Sequence, residues 1–310
     1  MKRFAMLALA ALLLPTLAQA ELFEKVGTFG AQFLQIGTTA RATGMGSAFT
    51  AVADDASAVF WNPGGLVEVR RNQFMAAHVE WPADINLTSA VLAFNPSILP
   101  GTFALSARSL WLDPMPVRTG YDPDGTGETF DAGSVSFGFS YAKFFTDKFS
   151  AGFTLNYLHM GLAEEAVNST GFDFGIVYRI GVRDLRLGMV FQNLGGKIKF
   201  DELEAKMPAV FKVGVSFTAI ETRNQKILAS AEFQHPSDNG ERANFGAEYS
   251  LKDLLYARIG YNLNYDTDAL AWGFGVKINT GPHSHALVDY SMVDMQALDY
   301  VNRFTVTFTY

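Results

Sequence analysis

Several groups of residues carry side chains whose type and spacing could do chemistry. Asp122, Asp124, Thr126 and Glu128 set oxygen atoms at alternate positions around Gly127, which is the beginning of a calcium loop. The twelfth position is Gly133, where such a loop needs a bidentate Glu, and Pro123 stiffens its start, so the stretch reads as a polar extracellular loop. His283 and His285 place two imidazoles one residue apart with no third ligand nearby in sequence, and read as turn residues rather than a metal site. No Gly-x-Ser-x-Gly elbow occurs, and neither His78 nor His159 has a Ser at a distinctive offset, so a hydrolase is not indicated. The acidic stretches Asp238 to Glu241 and Tyr265 to Asp268 read as solvated turns. The reading is therefore of no enzyme: no catalytic residue, no cofactor and no metal ligand is assigned. One constellation is left, Asp54 and Asp55 followed by Asn62, Pro63 and Gly64 in a run of small residues.

What must position these residues follows from composition and then from periodicity. The 310 residues are 49% hydrophobic, 14% aromatic and 18% charged, with no Cys, which excludes disorder, a disulfide framework and a thiol-based zinc or redox site. The start reads as a signal peptide over residues 1–20: Lys2 and Arg3 are the basic region, Ala5 to Leu17 the apolar core, and Ala18, Gln19 and Ala20 the cleavage site. The mature chain then begins at Glu21, and with no Cys it is not a lipoprotein. Without Lys2 and Arg3, 22 basic residues face 31 acidic ones, a formal charge of −9 that leaves no footprint for nucleic acid. Beyond residue 20 the longest uncharged stretch, Ile85 to Ala107, is broken by Asn95-Pro96 and Pro100-Gly101, so it reads as two strands and a turn rather than a spanning helix. An exported, aromatic-rich chain without such a helix is either a soluble β protein or an outer-membrane barrel.

From Gln73 onward, runs of about ten residues are apolar at every second position, the period of a strand. Val135, Phe137, Phe139 and Tyr141 alternate with Ser134, Ser136, Gly138 and Ser140; Phe211, Val213, Val215 and Phe217 alternate with Lys212, Gly214, Ser216 and Thr218. Counting such runs gives about fourteen strands, and an even number suits a closed barrel. The second face is Gly, Ser, Thr and Asn with sparse ionic residues, including Arg108, Asp173, Arg179, Lys212, Glu232, Glu248, Arg258, Lys277 and Arg303. That is a lumen rather than the solvated face of a sandwich, because an Arg at mid-depth on the lipid side costs roughly 2 to 4 kcal/mol. Connections around 145–148, 181–184, 221–225, 251–254 and 279–283 are short. Those at 113–133, 161–169, 193–208 and 235–241 tend to be longer, which suits periplasmic turns and extracellular loops respectively. Trp81, Trp111 and Trp272 suit the headgroup belt.

The fold expected is all-β: a transmembrane antiparallel β-barrel of about fourteen strands over residues 73–310. Residues 21–72 form an N-terminal plug containing a short helix that Asp54 or Asp55 caps and Pro63 ends. Such an irregular segment cannot face lipid, so it sits inside the barrel or at its periplasmic mouth. Phe304, Val306, Phe308 and Tyr310 lie on the lipid-facing register of the last strand. They resemble the C-terminal signal read by the barrel-insertion machinery.

The stretch TTARATGMGSAFTAVADDASAVFWNPGGL, Thr38 to Leu66, resembles the N-terminal motif of the PorV/PorQ family, a branch of the FadL-like outer-membrane barrels. GTGETFDAG from Gly125, FQNLGGKIKF from Phe191, HPSDNGERANFGAEY from His235 and the ending DYSMVDMQALDYVNRFTVTFTY are similar to the same family. The resemblance implies a plugged barrel of about fourteen strands in the outer membrane of a Gram-negative-type bacterium, with outer-membrane lipid around it. It further implies a type IX secretion-related role, with exported protein cargo carrying a C-terminal sorting domain as partner. The alternative it leaves is passive transport of hydrophobic small molecules, as in FadL, along a route past the plug's Asn-Pro-Ala element. Asn62 and Pro63 occupy that element here, with Gly64 in place of Ala. Purified protein should stay in solution only with detergent and run with heat-modifiable mobility on a gel; solubility without detergent and a single mobility would exclude the barrel.

Overall fold

The computed structural model describes residues 28–200, 203–267 and 269–310. The signal peptide and the first seven residues expected of the plug lie outside them. Fourteen strands carry the period-two sequence. In chain order they are β1 (Gln73–Trp81), β2 (Ile85–Phe94), β3 (Thr102–Trp111), β4 (Ala132–Phe144), β5 (Phe149–Leu162), β6 (Glu165–Arg179) and β7 (Arg186–Gly195). They continue as β8 (Val210–Glu221), β9 (Gln225–Pro236), β10 (Arg242–Leu251), β11 (Leu255–Leu263), β12 (Leu270–Asn279), β13 (His285–Asp294) and β14 (Tyr300–Thr309). Each pairs antiparallel with its sequence neighbours, and β1 pairs β14 from Gln73↔Thr309 to Glu80↔Asn302, which closes the sheet. Closure removes every sheet edge, so the strands can cross lipid with no backbone group left open.

Alternation decides what each face meets. Phe137, Phe139, Tyr157, Phe174, Phe233, Phe245, Phe274, Phe304 and Phe308 point outward and are exposed, as an apolar belt against lipid requires. Between them Ser136, Ser140, Thr154, Asn156, Ser216, Ser230 and Thr305 point inward and are buried. Trp81 departs from the expected headgroup position. It shares its parity on β1 with Met75, Ala77 and Val79, so it faces inward, where its ring lies 5.7 Å from the Arg303 guanidinium carbon. The segment 161–169 is also not a loop, because β5 and β6 run on through it and leave only Ala163 and Glu164 as the turn, with Ala163 at φ 53°. The long connections that do occur, 112–131 and 196–209, share one rim and each folds back on a small antiparallel ladder: Met115–Pro116 with Thr129–Phe130, and Ile198–Phe200 with Leu203–Ala205. Turns at the opposite rim are short, which makes that rim periplasmic.

Inside the cylinder lie residues 28–72, as short helical turns joined by extended links: a 3-10 turn (Gln32–Gln35), α1 (Ala40–Gly44), α2 (Ala58–Trp61) and a second 3-10 turn (Pro63–Glu68). This segment starts at the extracellular rim, where Phe29 bridges Lys206, and leaves at the periplasmic rim into β1. Its apolar residues Met45, Phe49, Val52, Val59, Trp61, Leu66 and Val69 form the main buried cluster together with the wall's Met75, Val91 and Ala142. The core is therefore the lumen itself.

Small wall residues let the plug lie this close. A Cβ added to Gly260 would overlap Gly46 N and Met45 C, and one on Gly175 would overlap the Asn62 side chain. Gly196, in the extracellular connection, has open space where a Cβ would go. Gly260→Val should therefore lower the unfolding free energy by about 3 kcal/mol through overpacking. Gly196→Val should leave it unchanged within about 0.5 kcal/mol. Urea unfolding of the two variants in detergent micelles checks the difference.

Candidate functional site

The interior is divided by the plug into an outer cavity and a periplasmic vestibule, and the two have no lining residue in common. What fixes the divider begins with Arg41, the only cation between residues 28 and 69. Its Nη1 reaches Asp54 Oδ1 at 2.5 Å and Asp55 Oδ2 at 2.8 Å, which folds the plug on itself. Its Nε and Nη2 donate to the two oxygens of Glu248 on β10 at 3.0 and 3.2 Å, a bidentate clasp onto the wall. Glu248 also accepts from Arg258 Nε at 2.6 Å, and Arg258 Nη1 donates to Asp289 at 2.6 Å. Burial works against the Arg41 charge, but Asp54, Glu248 and Asp55 outweigh it and hold the guanidinium well above its ordinary pKa. The guanidinium carbon also lies 5.3 Å from the Phe49 ring.

Hydrogen bonds to the plug backbone extend the clasp around the wall. Glu232 on β9 accepts from the backbone N–H groups of Phe49 and Thr50 at 3.0 and 2.8 Å. Asn244 donates to Gly46 O, Ser230 to Ala48 O, Gln192 to Phe60 O and Ser150 to Gly64 O, all between 2.6 and 2.8 Å. Thr305 Oγ1 accepts from Ala40 N at 2.9 Å. Polar wall residues thus take the place of secondary structure for the irregular backbone inside.

The residues singled out in the sequence fall into three places. Asp54 and Asp55 line the vestibule and belong to the Arg41 network. Asp55 Oδ1 also accepts from Ser57 N at 2.9 Å in a turn ahead of α2, but Ser57 holds the N-cap position and no side chain caps the helix, so the expected cap by Asp54 or Asp55 is not formed. Asn62, Pro63 and Gly64 sit between plug and wall and line neither cavity. The Asn62 amide donates to Thr50 O at 2.8 Å and to Ile176 O on β6 at 3.1 Å, while its oxygen accepts from Gly64 N at 3.0 Å. Pro63 opens the second 3-10 turn, where its missing N–H leaves nothing unpaired. Phe304, Val306, Phe308 and Tyr310 face outward on β14 and beyond it, and Tyr310 N donates to Asn72 O at the seam. All nine ionic residues assigned to the inner face point inward.

Two partners were missed in the sequence, Arg41 and Asp289. Arg41 carried a signal in being the lone cation of a small-residue stretch with two acids following it; Asp289 carried none. The outer cavity, about 100 Å³, is likewise built from residues with no common motif: Phe60, Trp61 and Trp81 with Arg108, Lys212, Arg242 and Arg303.

The model of the type IX secretion system protein PorV family matches residues 19–236, most of the chain. The chain belongs to the PorV family. Comparison with curated proteins gives no match. Among solved structures, the toluene transporter TodX of Pseudomonas putida superposes with a TM-score of 0.61 at 11% identity, covering 88% of this chain and 97% of its own. The toluene transporter TbuX of Ralstonia pickettii gives 0.58 at 12%, with 88% and 97% covered. A FadL homologue of Pseudomonas aeruginosa gives 0.54 at 11%, with 88% and 98% covered. At these identities the likeness is one of fold. With the family it makes the protein an outer-membrane barrel.

Replacing Arg41 leaves Glu248 and the two plug aspartates facing one another. Arg41→Met should lower stability by roughly 3 kcal/mol, the scale for breaking a buried ion pair. Glu248→Gln should fall short of additivity with it, because both remove the same clasp. Thermal melts of the single and double variants, read by circular dichroism in detergent, test this.

Proposed function

We propose that this barrel is a non-enzymatic component of type IX secretion that receives exported protein cargo at its extracellular rim. The observation that carries the reading is the closed lumen. A plug bonded to at least six wall strands fills it, and the space left above is about 100 Å³. A barrel without a conduit works through its surfaces, and its most elaborate surface is the rim with connections 112–131 and 196–209. The second of these is braced from inside, since Gly30 N donates to Lys206 O at 2.9 Å and Ile198 is fully buried. The first projects a hairpin whose tip carries the fully exposed Tyr121. Family membership supports the pathway, and a C-terminal sorting domain is the cargo element expected to dock there.

Passive transport of hydrophobic molecules is the weaker reading. A sideways exit would need an interrupted wall. Ladder register shifts between β6 and β7, at Phe172/Phe174, and between β8 and β9, at Thr218/Ile220. The first irregularity is closed by Asp173, which accepts from Asn193 N at 2.6 Å and Asn156 Nδ2 at 2.9 Å. Deleting the gene should leave proteins with the sorting domain trapped in the periplasm, and shortening connection 112–131 should have the same effect while the barrel still inserts. Fractionation and surface labelling of such a cargo measure it; normal surface display in the deletion strain would refute the role.

A further inference from the structure

The outer cavity holds cationic hydrogen-bond donors that the plug does not use. Arg108 on β3, Lys212 on β8 and Arg242 on β10 point into it, and among the described residues no carboxylate lies within ion-pair distance of any of the three. The nearby acids Asp173 and Glu232 act on Arg108 and Lys212 through space but leave their N–H donors unfilled. Asp173 is bonded to Asn193 and Asn156, Glu232 to the plug backbone, and Asp238 to the Gln32 and Gln35 amides at 3.0 and 2.9 Å. Arg108 is only 6% exposed, and although its Nη1 donates to Leu34 O, its Nε has no partner. Arg242 Nε is likewise buried without one.

Each cation lies on a ring: Arg108 4.5 Å from the Phe60 centroid, Lys212 5.5 Å from Trp61, and Arg242 4.5 Å from Tyr265. Such contacts offset part of the cost of burying a charge but accept no hydrogen bond. Unfilled N–H donors on buried cations favour an anion small enough to reach them. Guanidinium forks present paired N–H donors that match a carboxylate.

The remaining walls set the body of the ligand. Ile36, Val210 and Val293 are apolar, and a volume of about 100 Å³ takes a compact ligand and no long chain. We propose that this cavity is a binding site for a short-chain organic carboxylate of butyrate size, its head between Arg108, Lys212 and Arg242 and its alkyl end against Ile36, Val210 and Val293. A long acyl chain has no room. The site stands apart from cargo reception: it rests on the cavity alone and holds whether or not the rim binds protein.

The test is titration of the purified full-length barrel in detergent with butyrate, 1-butanol and inorganic phosphate, followed by calorimetry and by the fluorescence of Trp61 and Trp81. Butyrate should bind saturably at one site per chain and change the indole emission, while 1-butanol, which lacks the charge, should not. Lys212→Met and Arg242→Gln should each weaken butyrate about tenfold, the scale of a lost charged hydrogen bond, while keeping heat-modifiable mobility. Arg242 is half-buried, so its variant carries the test if Lys212→Met does not fold. Absence of saturable butyrate binding, saturation by phosphate but not butyrate, or unchanged affinity in the folded variants would overturn the assignment.

Discussion

An irregular chain inside a barrel has no ladder of its own, so the backbone N–H and C=O groups that its short turns leave open must find partners in the wall. That requirement shapes both components. Glu232 receives two consecutive plug amides, and Ser150, Gln192, Ser230 and Asn244 each donate to one plug carbonyl. The inner face is therefore polar for the sake of what it holds. A water-filled pore would want similar residues, but it would leave their polar groups to solvent, whereas here Ser140, Thr154, Ser216 and Asn244 are almost wholly buried.

Size follows from the same constraint. Wall and plug can share hydrogen bonds only if their backbones come within one side-chain length, which requires small residues where the approach is closest. The wall's Gly175, Gly188, Gly246 and Gly260 meet the plug's Asn62, Thr50, Met45 and Gly46 at distances that exclude a methyl group. Larger apolar residues of the plug, Phe49, Trp61 and Leu66, fill the axis instead, with Phe49 and Trp61 edge to face at 5.9 Å. Arg41 is the exception among these small residues. Its three carboxylate partners come from two places in the plug and one in the wall, so it fixes the plug's fold and its attachment together.

Much of this architecture could be read from the sequence because period two is a local signal that tertiary contacts do not erase. Fourteen strands, the inward parity of residues such as Arg108 and Glu248, and a plug in the first seventy residues all follow from alternation and from where it fails. Trp81 was misplaced because residue type was given priority over parity, and the parity of Met75, Ala77 and Val79 would have turned it inward. The segment 161–169 was misread because Glu164, Glu165, Asn168 and Ser169 look like a loop, yet β5 and β6 extend beyond the apolar belt, where polar residues suit a strand equally well. The Arg41 to Asp289 chain and the outer cavity were not legible. Their members come from the plug and from strands far apart in sequence, and only the closure of the cylinder brings them to one point.

The described chain starts at the extracellular rim, passes down the whole lumen and joins β1 at the periplasmic rim, where Tyr310 meets Asn72. The sheet closes around this segment like a ring around a thread, and no stave of the ring can be opened to admit it sideways once β1 has zipped to β14. Once the seam is closed the segment can pass in or out only lengthwise, through a mouth of the cylinder. Phe29 and Asn72 therefore stand at opposite rims, and the segment between them spans the full height of the wall.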